Sequence, residues 1–377
     1  MMRTRISIRN KRVITMGRKT LVALCLLPLA LAACERMKIV DQLTIVNTIG
    51  FDSYKDGQLR STVLYPDYTK SKSQENIQIR KTRGKTTSML LYRTNEQSKN
   101  PIELSKIQVI VFGEDFAKKG IGHIIDTVFN NPMIATDIHT AVVTPSARKY
   151  LETMKKYGSL AIADTINQNY QTSSLPRTNL HIFLNNYYGH GRDPYMPILK
   201  HGTEKNVYVN GVALFKDDQF KVSLDNNQFF FLGLLDEYKH MGYHELPIKK
   251  GSKKGTFVLR TMKNKPEWLN IKPGPEPEVD LSLSLNVVIR EYPDWIDLHH
   301  KKDITLLERT IRSNMKSEIA KLIEICKKNE VDPLGLGDRF RARDRNWEEK
   351  KFYKEQYKNL KVNIDIATTV IQAGIKR

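Results

Sequence analysis

The stretch Val279-Asp280-Leu281-Ser282-Leu283-Ser284-Leu285-Asn286 decides the fold class of this 377-residue chain. Apolar and polar side chains alternate strictly along it, which predicts a β-strand with one buried side and one wet side. A helix is indicated next, with Asp303 as its expected N-cap, because apolar residues recur there at steps of three and four. These residues are Leu307, Ile311, Met315, Ile319, Leu322, Ile323 and Cys326.

The remainder of this third mixes the same two kinds of element. Val331-Asp332-Pro333 ends the helix, residues 347–357 predict a second and more polar helix, and Val362, Ile364 and Ile366 predict a closing strand. The glycines of Leu334-Gly335-Leu336-Gly337 indicate a tight turn with close backbone packing or positive φ.

Similar patterns extend toward the N-terminus. An alternating strand over 43–52, a turn at Asp56-Gly57 and a return over 59–65 predict a hairpin, and 66–83 reads as a solvated loop. Further helices are predicted around 86–91, 121–129, 147–156 and 160–170, and further strands over 107–113, 137–144, 207–215 and 220–224. Strands and helices do not alternate regularly, so the pattern favours a multi-domain α+β fold. We expect mixed antiparallel sheets with packed helices, and neither a doubly wound nor a barrel fold.

Proline positions suggest where the domains divide. Residues 263–278 hold Pro266, Pro273, Pro275 and Pro277 with few apolar positions, which is typical of a linker. We therefore expect five parts. They are a signal peptide (1–33), an N-terminal α+β domain (34–200), a middle β-rich domain (201–262), the linker (263–278) and a C-terminal α+β domain (279–377).

The first 33 residues carry much of the net charge of +20. They hold seven basic and no acidic residues, so the chain beyond them has a net charge of +13. The apolar run 21–33 is too short to span a bilayer as a helix and is typical of a signal peptide. Met16 offers an internal start, so the true start codon stays open.

The run ends in Leu31-Ala32-Ala33-Cys34, which looks like a bacterial lipobox. We expect cleavage between Ala33 and Cys34 and diacylglyceryl modification of the Cys34 thiol, which would tether the protein to a membrane. The alternative is an ordinary cleavage site. Cys25 leaves with the signal, so Cys326 is the remaining cysteine, and its helical position predicts a small, buried residue and no nucleophile.

Catalytic and metal motifs fail when their spacing is tested. Gly84-Lys85-Thr86 lacks the earlier glycine of a phosphate-binding loop, and no Gly-x-Ser-x-Gly elbow is present. His240 and His244 could share a helix face, but Gly242 lies between them and no Glu occupies the metalloprotease position, and His299-His300 lies in a polar loop. We therefore expect no catalytic, cofactor or metal residues. The basic and aromatic run 351–358 is typical of a solvated helix face, and export argues against nucleic acid.

Several segments together resemble the Ger(x)C family, the C subunits of bacterial spore germinant receptors. The resemblance begins at the lipobox and runs in order to Gly374. Its segments are 41–52, 105–115 with Asn131-Pro132, 195–197, 211–218 and Asp332-Pro333-Leu334-Gly335-Leu336-Gly337-Asp338-Arg339-Phe340 with Trp347. Glu35-Arg36 stands where the family often has Trp-Asp, and Leu334 to Gly337 where it often has Phe-Gly-Phe-Gly-like residues.

The resemblance implies a non-enzymatic, multi-domain α+β lipoprotein on the outer face of the spore's inner membrane. Such a subunit assembles with an A subunit and a transporter-like B subunit to trigger germination by small nutrients. Only the acylated cysteine transfers, here Cys34. Two alternatives stay open: a free-standing solute-binding lipoprotein that delivers a nutrient to a transporter, and a lipid-anchored wall enzyme.

Overall fold

The computed structural model of the protein describes residues 43–67, 76–172, 175, 178–202, 207–236 and 241–371. The chain divides into Met1–Leu43 and one compact unit, Thr44–Arg377. The predicted signal peptide, Ala33 and Cys34 lie outside the described residues.

The first part of the unit builds a large mixed sheet. Its strands are β1 (Thr44–Ile45), β2 (Thr48–Ser53), β3 (Leu59–Asp67), β4 (Asn76–Gly84), β5 (Ile102–Glu103), β6 (Val109–Gly113), β7 (His139–Val143), β8 (Tyr195–His201), β9 (Val207–Lys216) and β10 (Gln219–Leu224). Within the described residues, β1 pairs with β5, and the other eight strands form one sheet in the order β10-β9-β8-β7-β6-β2-β3-β4. Neighbours among β2, β6, β7 and β8 are parallel, whereas the outer pairs are antiparallel.

Helices connect and cover these strands. They are α1 (Thr87–Glu96), α2 (Glu114–Lys119), α3 (Gly122–Phe129), α4 (Ala147–Met154), α5 (Ala161–Gln171), α6 (Leu180–Tyr188), α7 (Asn226–Leu235), α8 (Lys301–Lys328), α9 (Leu336–Arg341) and α10 (Glu349–Lys351). Side-chain caps fix several starts, since the Ser146 hydroxyl accepts the Lys149 N–H and Asp225 forms a capping box with Gln228. The buried Asp52 carboxylate accepts the Ala147 and Arg148 N–H groups at 2.8 Å each, which fastens α4 to β2.

The second sheet contains β11 (Tyr243–Lys250), β12 (Lys253–Lys272), β13 (Glu278–Glu291) and β14 (Lys361–Val370). In the described part of the unit its order is β11-β12-β13-β14, with β13 and β14 parallel. The apolar face of α8 is buried together with alternate residues of β13, as the two periodicities predict. The strand over 279–286, the long helix and the closing strand are therefore confirmed.

The predicted linker is wrong as secondary structure over most of its length. Residues 263–272 continue β12 and pair with β13, and Pro266 lies opposite Leu283. Proline is tolerated there because β11 pairs with β12 only up to Arg260, so beyond that point β12 has β13 as its one strand neighbour in the described sheet. The part of the predicted linker that lies outside the strands is the turn at residues 273–277.

Other local expectations also need correction. The expected loop 66–83 contains β4, an edge strand whose solvated position accommodates its polar side chains. Asp303 is not the N-cap, because α8 begins at Lys301 and the Asp303 carboxylate accepts the Asp297 N–H at 2.9 Å. The second polar helix is a short α10, a π-helical turn over Phe352–Gln356 and a 3₁₀ turn over Tyr357–Asn359.

The α+β class predicted from the sequence is confirmed, with open mixed sheets and packed helices in the described residues. The parallel block at the centre of the large sheet is a detail that the sequence did not predict. Strands from residues 201–262 divide between the two sheets, and one apolar core includes residues of both sheets. The division into folding domains stays a prediction.

Candidate functional site

Two Asp-Pro segments from distant parts of the chain meet in the interior. The first, His190-Gly191-Arg192-Asp193-Pro194, links α6 to β8, and the second follows α8 and begins at Asp332-Pro333. The Asp193 N–H donates to the Asp332 carbonyl at 2.9 Å, and the Asp332 N–H donates to Asp193 Oδ2 at 2.7 Å. We call Asp193, Lys216, Asp332 and Tyr353 the carboxylate junction.

Asp332 is fully buried and each of its carboxylate oxygens accepts hydrogen bonds. Oδ1 accepts the Leu336 N–H at 3.0 Å, whereas Oδ2 accepts the Gly337 N–H at 2.7 Å and the Tyr353 hydroxyl at 3.0 Å. Burial raises the pKa of Asp332, and the two backbone donors oppose that rise. The carboxylate therefore fixes the turn that starts α9.

Asp193 is 3% exposed and lies beside a cation. Lys216 Nζ, at the end of β9, lies 3.3 and 3.2 Å from its two oxygens and 3.7 Å from the centre of the Tyr353 ring. Burial raises the pKa of Asp193 to about 7, the nearby Asp332 adds to the rise, and Lys216 opposes it. One lysine thus serves a site that holds two buried carboxyl groups.

Glycines allow the backbones of the two segments to contact each other directly. Gly191 has φ of +76°, and a Cβ there would lie 2.2 Å from the Asp338 nitrogen. Gly337 is restricted by space alone, because a Cβ there would lie 2.6 Å from the Tyr353 hydroxyl and 2.9 Å from Gly191 Cα. Gly335 adopts φ of +64°. The turn that the sequence predicted at 334–337, with close packing and positive φ, is confirmed.

Ion pairs surround this closed centre. Arg192 pairs with Asp338, which also accepts from Arg341 Nη2 at 2.7 Å. Burial raises the pKa of Asp338, but the bonds from Arg341 and Arg192 outweigh it and leave the pKa below its usual value. Glu349 accepts the Gly191 N–H at 2.8 Å. These contacts lie around the carboxylate junction and further link its two segments.

A polar cleft of about 390 Å³ lies next to the junction. Arg192, Asp338 and Arg339 line it together with residues 333–335. Tyr195 and Asp236 also line it, and the Tyr195 hydroxyl donates to Asp236 Oδ2 at 3.1 Å. Arg192 and Asp338 pair with each other across this lining, and Arg339 lies over the Trp268 ring.

The chemistry of the junction is that of a clasp. Its carboxylate oxygens are buried and occupied by donors from the protein itself. A general acid or base needs a proton-bearing atom within reach of a substrate, whereas the two carboxyl groups of this centre are buried and already bonded. The arrangement instead joins residues 190–216 to residues 331–353.

The residues singled out from the sequence lie elsewhere. Cys34 and Ala33 are outside the described residues, as is His240. Cys326 is buried, as its helical position predicted, and burial raises the pKa of its thiol. His244 belongs to β11 and not to a helix, and its ring stacks on Phe230 at 4.7 Å.

His299 and His300 lie exposed in the loop before α8, where His300 Nδ1 is 2.9 Å from Asp297. Groups of three or more potential metal ligands do not occur among the described residues. The lysines of 351–358 are exposed, as predicted for a solvated helix face. Phe352, Tyr353 and Tyr357 are instead buried, and they belong to an apolar cluster separate from the core that the two sheets share.

The sequence did not predict the junction itself. Asp193 and Asp332 each precede a proline, and this repeated Asp-Pro pair was the available signal. That both carboxyl groups are buried depends on contacts across more than a hundred residues of chain, which no local pattern contains.

Comparison with known proteins identifies the family. The model described as "Spore germination protein N-terminal domain" matches residues 36–201, and the model described as "Spore germination B3/ GerAC like, C-terminal" matches residues 210–374. The chain belongs to the Ger(x)C family of spore germination proteins. The resemblance drawn from the sequence is confirmed.

Relatives of this Ger(x)C protein agree in length and fold. Spore germination protein GerQC of Bacillus cereus is 26% identical over 361 residues, which covers 95% of this chain and 99% of that protein. Putative spore germination protein YfkR of Bacillus subtilis (strain 168) is 20% identical and 73% of each chain is covered. The crystal structure of the GerBC protein matches with a TM-score of 0.56 at 11% identity, covering 86% of this chain and 97% of that one.

Among the described residues, no helix combines the length and the apolar character needed to cross a membrane.

Proposed function

We propose that this protein is the lipid-anchored, non-catalytic C subunit of a nutrient germinant receptor. It assembles with A and B subunits on the outer face of the spore's inner membrane and is needed to trigger germination. The observation that carries the proposal is the pair of family matches, which follow in order and together reach from residue 36 to residue 374. The near full-length similarity to GerQC supports it.

The lipobox supports the anchoring part of the proposal. Cys34 stands two residues before the first matched residue, so an acyl anchor there would leave the whole matched region outside the bilayer. Two acyl chains hold a protein stably where one does not, since each buried methylene contributes about 0.8 kcal/mol.

The carboxylate junction supports the non-catalytic part. Its acidic groups are used to hold two segments together, which suits a subunit that presents a rigid surface to partners. Nothing in the proposal requires this chain to bind the nutrient itself.

The test of anchoring compares Cys34→Ala with Cys25→Ala, a matched control in the same signal segment. We expect Cys34→Ala to lose incorporation of labelled palmitate and to slow the nutrient-triggered fall in optical density of spores. Cys25→Ala should behave like the wild type in both assays. A Cys34→Ala spore with a normal response would contradict an essential anchor.

Deletion of the gene tests the function. We expect the response to at least one nutrient to be lost and to return on complementation. An unchanged response to every nutrient, in a strain without its paralogues, would refute the receptor role. Thermal stabilisation of the purified protein by a nutrient would instead favour the solute-binding alternative, and turnover of peptidoglycan the wall enzyme.

A further inference from the structure

The turn between β11 and β12 concentrates positive charge on an exposed tip. Its sequence is Lys249-Lys250-Gly251-Ser252-Lys253-Lys254, and all six residues are exposed. Lys249 lies directly opposite Lys254, and Lys250 lies opposite Lys253. Like charges at directly opposed positions destabilise a strand pair, so two successive Lys–Lys pairs oppose the stability of this hairpin.

The N-terminus of α8 adds charge to the same tip. Lys250 Nζ lies 2.5 Å from Asp303 Oδ1 in the first turn of α8, so the hairpin turn and this helix end are adjacent. Lys301 and Lys302 open the helix and are exposed. Cations at a helix N-terminus face the positive end of the helix dipole, which is again unfavourable. We call Lys249, Lys250, Lys253, Lys254, Lys301 and Lys302 the basic tip.

Neighbouring acidic groups neutralise little of this charge. Asp303 is buried and pairs with Lys250, and Asp297 accepts the His299 N–H and contacts His300. Within the described part of the chain, no carboxylate lies within ion-pair distance of Lys249, Lys253 or Lys254. The repulsion therefore remains in the isolated protein and would be relieved by an anionic partner.

The composition of the basic tip indicates what that partner is. Its cations are all lysine, and the other exposed residues of the turn are glycine and serine. Protein interfaces instead centre on aromatic residues, Met and Arg, and nucleic-acid or phosphopeptide sites favour the bidentate arginine. Flexible lysines without an apolar centre suit the diffuse negative charge of a lipid surface.

We propose that the basic tip docks the folded part of the protein onto an anionic phospholipid bilayer. This contact is separate from the acyl anchor, and it orients the second sheet with its β11–β12 end toward the headgroups. Because two acyl chains at Cys34 would already hold the protein at a membrane, the basic tip would contribute the orientation of the folded part and not its attachment.

The test uses the chain from Glu35 onward, which lacks the anchor but contains the compact unit and its apolar cores. The probes are vesicles of phosphatidylcholine alone and vesicles with about one third phosphatidylglycerol. The test variant is Lys249→Gln/Lys253→Gln/Lys254→Gln. The matched control, Lys119→Gln/Lys155→Gln/Lys156→Gln, removes the same charge from exposed sites elsewhere.

We expect the wild type and the control to sediment with the anionic vesicles only, and less so at high salt. The test variant should bind on the order of one hundredfold more weakly, since each lysine near an anionic surface contributes roughly a factor of five. Equal losses in both variants, equal binding to neutral vesicles, or binding only to an acidic peptide or a polyanion would overturn the proposal. Circular dichroism and thermal melting verify folding, and Lys301→Gln/Lys302→Gln provides a second variant outside the hairpin with the same expected direction. Failure here leaves the acyl anchor and the receptor role untouched, because neither enters the assay.

Discussion

The carboxylate junction and the basic tip differ in the burial and the pairing of their charged groups. In the junction, two buried carboxyl groups receive backbone donors, a tyrosine hydroxyl and one lysine. At the basic tip, six exposed lysines crowd together and one of them has a carboxylate partner within the described residues. Burial makes the first arrangement depend on complete pairing, because an unpaired buried charge is far more costly than an exposed one.

The difference separates internal structure from external contact. Charge that is fully satisfied inside the protein stabilises a junction between distant segments and needs no partner. Like charges at opposed positions of a hairpin destabilise the isolated fold, and they are best explained by a partner outside the protein. Substitutions in the two regions should therefore have effects of different size and of opposite sign on stability.

The largest effect is expected for Asp332→Ala. The Leu336 and Gly337 N–H groups and the Tyr353 hydroxyl would lose their acceptor in the interior. We expect the free energy of unfolding to fall by about 3–5 kcal/mol. Urea denaturation measures this, and Asp365→Ala, at an exposed position of β14, serves as control with a change below about 0.5 kcal/mol. Equal effects of the two substitutions would mean that the junction is not a clasp.

Gly191→Ala should come next. Its positive φ and a Cβ 2.2 Å from the Asp338 nitrogen would force the two segments apart. We expect a loss of about 2–4 kcal/mol. Gly57→Ala is the matched control, because Gly57 has φ of +68° but no atom within 4 Å of its Cβ, so it should lose about 1 kcal/mol. Similar melting temperatures for the two variants would contradict the close approach of the segments.

The pH dependence of stability tests the same centre. The pKa of Asp193 is about 7 in the folded protein against 3.8 for the free group, so the folded state binds more protons between these values. Stability should therefore fall as the pH rises from about 4 to about 7, by at most about 1.4 kcal/mol per pH unit from this group. Asp332, whose pKa burial also raises, acts in the same direction.

Asp193→Asn isolates that contribution. We expect the unfolding free energy of the variant to depend less on pH over this range, whatever its absolute stability. If the substitution leaves the slope of unfolding free energy against pH unchanged, Asp193 is ionised at both ends of the range.

The smallest effect, and the one of opposite sign, is expected at the basic tip. Lys254→Gln removes one member of the Lys249–Lys254 pair, which should raise the unfolding free energy by about 0.2–1 kcal/mol. The gain should disappear in 1 M salt, where the Debye length is about 3 Å. If the substitution lowers the unfolding free energy at low salt, the hairpin depends on this lysine for stability. The proposed contrast between the basic tip and the junction would then be wrong.

Local periodicity predicted much of the fold. Alternation in β13 and the three- and four-residue steps of α8 reflect single buried faces, which a sequence displays directly. Residues 263–272 form strand despite Pro266, because one edge of β12 is open there and tolerates proline. The prediction of a loop over 66–83 was wrong for the residues of β4, because an edge strand can carry polar side chains.

The site was less predictable than the fold. The glycine-rich turn after α8 was predicted, because glycine signals backbone demands locally. The burial of Asp193 against Asp332 was not, because it requires β9, the segment after α6 and the segment after α8 to meet. Lipidation at Cys34 rests on the sequence alone and stays a prediction.

Co-purification from spores tests the receptor-subunit claim most directly. A functional, tagged copy of the chain should be isolated from spore membranes after cross-linking, with an untagged strain as control. We predict that an A-type and a B-type receptor subunit are recovered with it in comparable amounts. Recovery of the tagged protein alone, from spores that still respond normally to nutrients, would contradict the proposal that it is the C subunit of a germinant receptor.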